Sequence, residues 1–114
     1  MSEERRIYSR LKSGVACLVY TGSVEMTGVI DNISETGIAV VINKADLKHD
    51  FRVGERIKVT GLDAEEVLQL EIEIVRLEDR DTALLLGAHI FNHREIEPYV
   101  NRKRMEVYFK KLLQ

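Results

Sequence analysis

Residues 67–74 alternate strictly between apolar and polar side chains. One set of positions holds Leu68, Leu70, Ile72 and Ile74, and the other holds Gln69, Glu71 and Glu73. A period of two residues is the pattern of a β-strand with one face in a core and the other in water. The alternation breaks at Val75, which predicts a bulge where one extra residue re-aims the strand. We therefore extend this strand to 67–77 and expect a fold built on β-structure.

Five further segments have strand character, and short turns separate them. They span residues 14–21, 24–33, 38–42, 55–60 and 82–91. Many short strands predict a barrel or a sandwich, and closure into a barrel is favoured because it removes unpaired strand edges. Residues 94–113 read as a helix instead, with Pro98 in its first turn. One helical face carries Ile96, Tyr99, Val100 and Val107, and nearly the opposite face carries Met105, Tyr108, Phe109 and Leu112.

The composition fits one soluble domain of 114 residues, because 45% of the residues are hydrophobic and 32% are charged. Phe51, Phe91 and Phe109 are expected to be the largest pieces of the core. Cys17 is the only cysteine and lies in an apolar run, which predicts a buried structural thiol and a reducing compartment. We find neither a signal peptide nor an apolar run of about 18 residues, and we expect a cytoplasmic protein without membrane insertion.

Two short motifs carry the chemistry. The first is an RxxxR spacing from Arg6 to Arg10, with Arg5 in front of it, and the second is an NxSxxG spacing through Asn32, Ser34 and Gly37. Guanidinium groups bind phosphate oxygens through a planar fork of donors and stack on purine rings. An amide and a hydroxyl suit the edge of a guanine or a ribose. Each motif alone is weak evidence for a binding site, because the first could be a solvated basic terminus and the second a plain turn. The two motifs in this order are far more specific.

The ordered pair of motifs resembles the signature of the PilZ domain family. Supporting matches are Phe51–Glu55, before the fourth strand, and Gly87–Phe91, in the last strand. The resemblance covers nearly the whole chain. It implies a mainly β fold: a six-stranded antiparallel β-barrel with a C-terminal α-helix. Residues 1–114 would form a single domain, with an arginine arm at 1–13, the barrel at 14–91 and the helix at 94–113.

The resemblance also implies a ligand, cyclic di-GMP. Arg6 and Arg10 would bind its phosphates and guanines, and Asn32, Ser34 and Gly37 would form the base and ribose side of the site. In this family an arginine before RxxxR tends to accompany an intercalated nucleotide dimer, so Arg5 predicts two nucleotides per domain. The expected protein is a bacterial receptor that changes conformation on binding and signals in motility, surface polysaccharide, biofilm or virulence pathways.

The second helical face has no partner within so small a domain. We expect Met105, Tyr108, Phe109 and Leu112 to bind an unidentified protein partner or to form a homodimer. The basic run at 102–104 is expected to be the solvated side of the helix, with an acidic partner surface as the other possibility. The residues offer no nucleophile–base set and no metal spacing, since His89 lies in a strand while His93 and Glu95 begin the helix. We therefore predict neither an enzyme nor a metal site.

Two other classes of function stay open. One is a nucleotide-independent interaction adaptor on the same barrel. The other is a single-stranded nucleic-acid barrel, which is disfavoured because the net charge is -2 and only 6% of the residues are aromatic. We expect no nucleic-acid partner.

Overall fold

The computed structural model describes residues 10–114, which fold into a closed six-stranded antiparallel barrel and one helix. The strands are β1 (Leu11–Tyr20), β2 (Glu25–Ile33), β3 (Gly37–Asn43), β4 (Arg56–Leu62), β5 (Val67–Asp79) and β6 (Ala83–Ile90), and the helix is α1 (His93–Leu112). Neighbours around the barrel follow the order β1-β2-β3-β6-β5-β4, and β4 returns to β1. The predicted fold class is confirmed. Residues 11–13, predicted to belong to the arm, are instead the first residues of β1.

The alternation of β5 fills the barrel as the sequence predicts. Leu68, Leu70, Ile72 and Ile74 are buried, whereas the residues between them are exposed or half-buried. The predicted bulge is present, because the pairing of β5 with β6 shifts register between Ile74 and Arg76. Val75 stands at that shift and is 55% exposed. The bulge therefore lets β5 continue to Asp79 while its first half stays in the core.

Cys17 lies where β1 closes the barrel against β4. It pairs with Gly61 of β4 on one side and with Gly28 of β2 on the other, and it is buried as predicted. Burial raises the pKa of the Cys17 thiol to about 11, while a hydrogen bond with the backbone of Gly28 acts in the opposite direction. The thiol is therefore neutral and apolar in the folded protein.

The prediction that three phenylalanines lie in the core is wrong for two of them. Phe51 is buried, but Phe91 and Phe109 are 39% and 52% exposed. Phe91 follows the last strand and lies under the guanidinium of Arg56, which is 4.3 Å from the ring centroid. Phe109 belongs to the half of α1 that is exposed along its length. Aromatic size alone does not decide burial, because cation–π contact also holds a ring at a surface.

The buried apolar residues of α1 all lie in its first half. Ile96, Tyr99 and Val100 are buried, whereas Val107, predicted on the same face, is 45% exposed. That prediction is wrong because the buried contacts of the helix end before Val107. Pro98 also lies in the second turn and not in the first, since the helix begins at His93.

The start of α1 is tied to β5 by Asn92. Its Nδ2 donates to the carbonyl oxygen of Gln69 at 2.7 Å, and its Oδ1 accepts from the Glu71 N–H at 3.0 Å. Both bonds join the residue before the helix to the exposed positions of a central strand. The direction in which the helix leaves the barrel is therefore set by the residue that precedes it.

The loop between β4 and β5 holds the middle of α1 by polar contacts. The hydroxyl of Tyr99 donates to Asp63 Oδ2 at 2.7 Å, and Lys103 Nζ lies 3.2 Å from the same atom. Arg102 pairs with Glu66 of the same loop. The predicted solvated side is thus only partly correct, because Lys103 is half-buried and ion-paired within the chain. A hydrogen bond from the Glu65 N–H and one from Tyr99 lower the pKa of Asp63, whereas burial raises the pKa of Tyr99.

Replacing Tyr99 by phenylalanine tests this docking contact. Tyr99→Phe keeps the buried ring but removes a hydrogen bond to a carboxylate, and we expect a loss of about 1–3 kcal/mol of unfolding free energy at pH 7. Because the folded-state pKa of Asp63 lies below its ordinary value of 3.8, its stabilising effect is complete above that value. The effect is lost as the pH falls through the lowered pKa. The difference from wild type should therefore shrink below pH 3.8.

Urea unfolding at pH 7 and below pH 3.8 measures the loss of unfolding free energy, with Tyr108→Phe as the matched control. Tyr108 is on the same helix but is 57% exposed, so its hydroxyl should matter little. Equal losses in the two variants would contradict the docking role of the Tyr99 hydroxyl.

Candidate functional site

Arg10 and Asn32 meet at the open end of the β1–β2 hairpin. Leu11 pairs with Ile33 and Lys12 with Asn32, so the beginning of β1 lies beside the end of β2. Arg10 Nη1 donates to Asn32 Oδ1 at 2.9 Å. The first motif therefore contacts the second directly, although 22 positions separate the two residues.

Asn32 is held on both sides of its amide. Its Oδ1 accepts from Arg10, and its Nδ2 donates to Asp31 Oδ2 at 3.0 Å. These two bonds fix which end of the amide faces the arginine. Asp31 was not singled out from the sequence, where it reads only as a polar position of a strand.

Gly37 leaves the space in which the Arg10 guanidinium lies. A Cβ atom at Gly37 would be 3.0 Å from Arg10 Nη2 and 3.4 Å from Arg10 Cζ. A side chain at this position would therefore push the guanidinium away. The glycine is needed here for the close approach of Arg10 and not for an unusual backbone angle.

Ser34 lies in the turn between β2 and β3, just beyond the end of β2, and is buried. Its Oγ accepts from the Gly37 N–H at 3.1 Å and from the Thr36 N–H at 3.4 Å. The Ser34 N–H donates to the Gly37 carbonyl at 2.8 Å. The hydroxyl thus stabilises the turn itself, and a contact of Ser34 with a ligand stays a prediction.

Glu35 is the residue of this turn that sequence reasoning missed. It is only 6% exposed. Its carboxylate accepts from Arg104 Nε at 3.1 Å and from Arg104 Nη2 at 2.6 Å. The hydrogen bond from Arg104 is the largest effect on Glu35 and lowers its pKa. No pattern relates positions 35 and 104, and Arg104 was wrongly expected to be on the solvated side of the helix.

Arg5 and Arg6 lie outside the described residues. Of the predicted site, the structure therefore brings together Arg10, Asn32 and Gly37 and adds Ser34 as the support of the turn. A guanidinium held in a fixed orientation over a glycine is a suitable donor for phosphate oxygens. Residues 10–114 contain no group of three or more His, Cys, Asp and Glu side chains placed to hold a metal ion.

Two concavities are lined by other residues. One, of about 300 Å³, lies between the beginning of β1 and α1, where Lys12, Tyr99 and Lys103 line it. The other is an open apolar groove along the second half of α1, beside Met105 and Phe109. Neither is lined by Arg10, Asn32, Ser34 or Gly37. Across the described part of the chain, no helix is long and apolar enough to cross a membrane.

The barrel and the two motifs define a PilZ domain. Residues 4–106 match the PilZ domain family, and the chain belongs to that family. No curated protein matches the sequence.

Solved structures with the same fold agree with this assignment. The PilZ domain of YcgR from Escherichia coli, solved with c-di-GMP, is similar with a TM-score of 0.75 and 13% identity, covering 94% of this chain and 97% of that one. MotI/DgrA, the inhibitor of motility of Bacillus subtilis, has a TM-score of 0.68 and 20% identity, covering 90% and 52%. PlzA of Borreliella burgdorferi, in complex with c-di-GMP, has a TM-score of 0.63 and 11% identity, covering 96% and 55%. The chain spans about half the length of MotI and of PlzA.

Replacing Gly37 by alanine tests the close approach of Arg10. The atom in the way is the far end of a flexible side chain, so Gly37→Ala should change the unfolding free energy by less than about 1 kcal/mol. It should nevertheless displace Arg10 from Asn32. The displacement is measurable as a shift of the Arg10 side-chain NH signals in ¹H–¹⁵N spectra, assigned with Arg10→Lys.

Gly22→Ala is the opposite control. Gly22 has open space around it but a φ of 101°, so alanine there should cost about 1 kcal/mol or more of stability through backbone strain. It should leave the Arg10 signals unchanged. Unshifted Arg10 signals in Gly37→Ala would contradict the packing of the guanidinium over Gly37.

Proposed function

We propose that this chain is a cyclic di-GMP receptor that changes conformation when the nucleotide binds and signals through a protein partner. The observation that carries the proposal is the contact of Arg10 with both Asn32 and Gly37. This contact joins the two family motifs into one surface. Two PilZ proteins of the same fold were solved with c-di-GMP, which supports the choice of ligand.

Each motif residue has a distinct proposed role. Arg6 and Arg10 bind the phosphates and guanines, while Asn32, Ser34 and Gly37 form the base and ribose side. A charge-assisted hydrogen bond of this kind contributes roughly 1.5–3 kcal/mol. Arg10 is already oriented by Asn32, so part of the ordering cost is met before the ligand arrives.

Conformational change follows from where Arg6 stands in the chain. Arg10 directly precedes β1, and Arg6 is one RxxxR spacing further toward the N-terminus. A nucleotide that contacts both arginines and the β2–β3 turn draws residues 1–9 onto the barrel surface. The newly formed surface is then available to a partner, and no catalytic step is assigned. The cytoplasmic location remains a prediction.

A calorimetric titration of cyclic di-GMP tests the receptor function. Wild type should bind with micromolar or tighter affinity. Arg10→Ala should bind at least about tenfold more weakly, because one charge-assisted contact is lost, and Arg6→Ala/Arg10→Ala should show no binding. Arg52→Ala is the matched control, because Arg52 is also exposed and belongs to neither the RxxxR nor the NxSxxG spacing.

The stoichiometry of the same titration tests the role of Arg5. We expect two nucleotides per domain in wild type and one in Arg5→Ala. A single nucleotide in wild type would contradict the intercalated dimer. No heat with a folded wild type would reject the receptor and leave the nucleotide-independent adaptor.

The adaptor alternative is favoured by the apolar strip of α1. Met105, Tyr108, Phe109 and Leu112 are 50–61% exposed. Met105, Tyr108 and Leu112 follow the three- and four-residue spacing of a helix–helix seam. We propose that this strip binds a second copy of the chain or the protein partner, with or without nucleotide.

Sedimentation velocity over a range of concentrations tests the strip as a dimer interface. Wild type should self-associate, and Phe109→Glu/Leu112→Glu should remain monomeric because two charges would be buried in the contact. Val53→Glu is the control, since Val53 is 63% exposed and lies in the turn before β4 instead of in the helix. A wild type that stays monomeric with and without nucleotide would exclude the homodimer and leave a heterologous partner.

A further inference from the structure

The turn that carries Ser34 and Gly37 is attached to α1 by one ion pair. Glu35, between those two residues, receives two hydrogen bonds from Arg104 on the helix. The Glu35 side chain is 8% exposed and that of Arg104 is 25% exposed. The pair is therefore largely shielded from water. A shielded carboxylate depends on its cationic partner much more than a carboxylate at the surface does.

The geometry of the pair fixes orientation as well as charge. The two bonds run from Nε and Nη2 of one planar guanidinium to the two oxygens of one carboxylate. Such a fork allows little rotation of either group. Position 35 is thereby held between the Ser34 and Gly37 hydrogen bonds that shape the turn.

Arg104 stands at the boundary between the two halves of α1. Ile96, Tyr99 and Val100 pack on the barrel before it, and the exposed apolar strip begins with Met105 immediately after it. A movement of the turn that displaces the Glu35 carboxylate therefore displaces Arg104, the residue directly before the start of the strip. No other described feature of the helix contacts the residues of the second motif through a hydrogen bond or ion pair given by the structure.

We propose that Glu35 and Arg104 are positioning residues for the nucleotide site, which hold the β2–β3 turn in its binding form and couple its occupancy to the second half of α1. The proposal rests on the cyclic di-GMP receptor function. It adds two residues outside the RxxxR and NxSxxG positions and a route from the ligand to the apolar strip.

The two members of the pair are not equivalent. Removing Arg104 leaves a buried carboxylate without its guanidinium, in the same turn as Gly37, which lies against Arg10. That uncompensated negative charge is unfavourable in a turn that a dianionic ligand contacts. Neutralising Glu35 removes a negative charge from the turn and keeps the Arg104 guanidinium. Loss of Arg104 should therefore weaken nucleotide binding more than loss of the Glu35 charge.

Titrations of cyclic di-GMP into Arg104→Gln, Glu35→Gln and the double variant test the pair. We expect Arg104→Gln to bind at least about fivefold more weakly than wild type. Glu35→Gln should lose less, and the double variant should lose less than the product of the two single effects. Arg102→Gln is the matched control, because it removes a helix arginine whose partner, Glu66, belongs to the β4–β5 loop, and its affinity should stay within about twofold.

Hydrogen exchange of the α1 amides gives a readout that a purely structural role would not move. Saturating cyclic di-GMP should change the protection of residues 101–112 in wild type and in Arg102→Gln. In Arg104→Gln the same saturation should leave those amides unchanged. If Arg104→Gln does not fold, Arg104→Lys replaces it; this variant keeps the charge but loses the fork, and it should show the same losses in smaller degree.

The outcomes separate this proposal from the receptor function. Wild type that binds nucleotide while Arg104→Gln or Arg104→Lys binds equally well, with α1 still responding, would overturn the positioning role and leave the receptor intact. Wild type that does not bind would overturn both. Additive losses in the double variant would overturn the coupling between the two residues.

Discussion

Pairing of β1 with β4 closes the barrel, and it depends on a row of small residues across three strands. Cys17 of β1 stands between Gly28 and Gly61. A Cβ at Gly61 would lie 3.2 Å from Ile30 Cδ1, and one at Gly28 would lie 3.0 Å from the Val41 carbonyl oxygen. Larger residues in this row would press on the core or on the adjacent strand, so closure of a barrel this narrow requires the missing side chains. The positions of the site and of the helix depend on this closed barrel.

Closure also decides where the site lies. With β1 paired on both sides along its second half, its beginning is left beside the end of β2 alone, and Arg10 emerges there against Asn32. The β2–β3 turn follows within a few residues and brings Gly37 under the same guanidinium. The arginine motif and the turn motif thus meet because they flank one hairpin, and the contact needs no long-range arrangement of the chain.

This local origin explains what the sequence could predict. Alternation along β5, the bulge at Val75 and the short turns between strands are short-range patterns, and the predicted strands are present within a few residues. The Arg10–Asn32 contact could also be predicted from the sequence, because it follows from the register of one hairpin. The exposure of Val107 and the partner of Glu35 depend on how α1 crosses the barrel. That crossing is set by the contact of Asn92 with β5 and by the contact of Tyr99 with Asp63 in the β4–β5 loop. Periodicity within the helix contains no such information.

The Glu35–Arg104 pair limits how strongly the two ends of the proposed signal are connected. A ligand shifts a conformational equilibrium only by the difference in its affinity for the two states, and the helix senses that difference through what the turn transmits. A forked, largely buried ion pair transmits orientation well, because most of its stabilising energy is lost when the fork is broken. An exposed pair such as Lys44–Asp79, with side chains 43% and 77% exposed, would be replaced by water at little cost. The Lys103–Asp63 pair is buried to a similar degree, with side chains 26% and 6% exposed, but it joins α1 to the β4–β5 loop. Among the ion pairs described, the buried Glu35–Arg104 pair is the one that joins the motif turn to the helix.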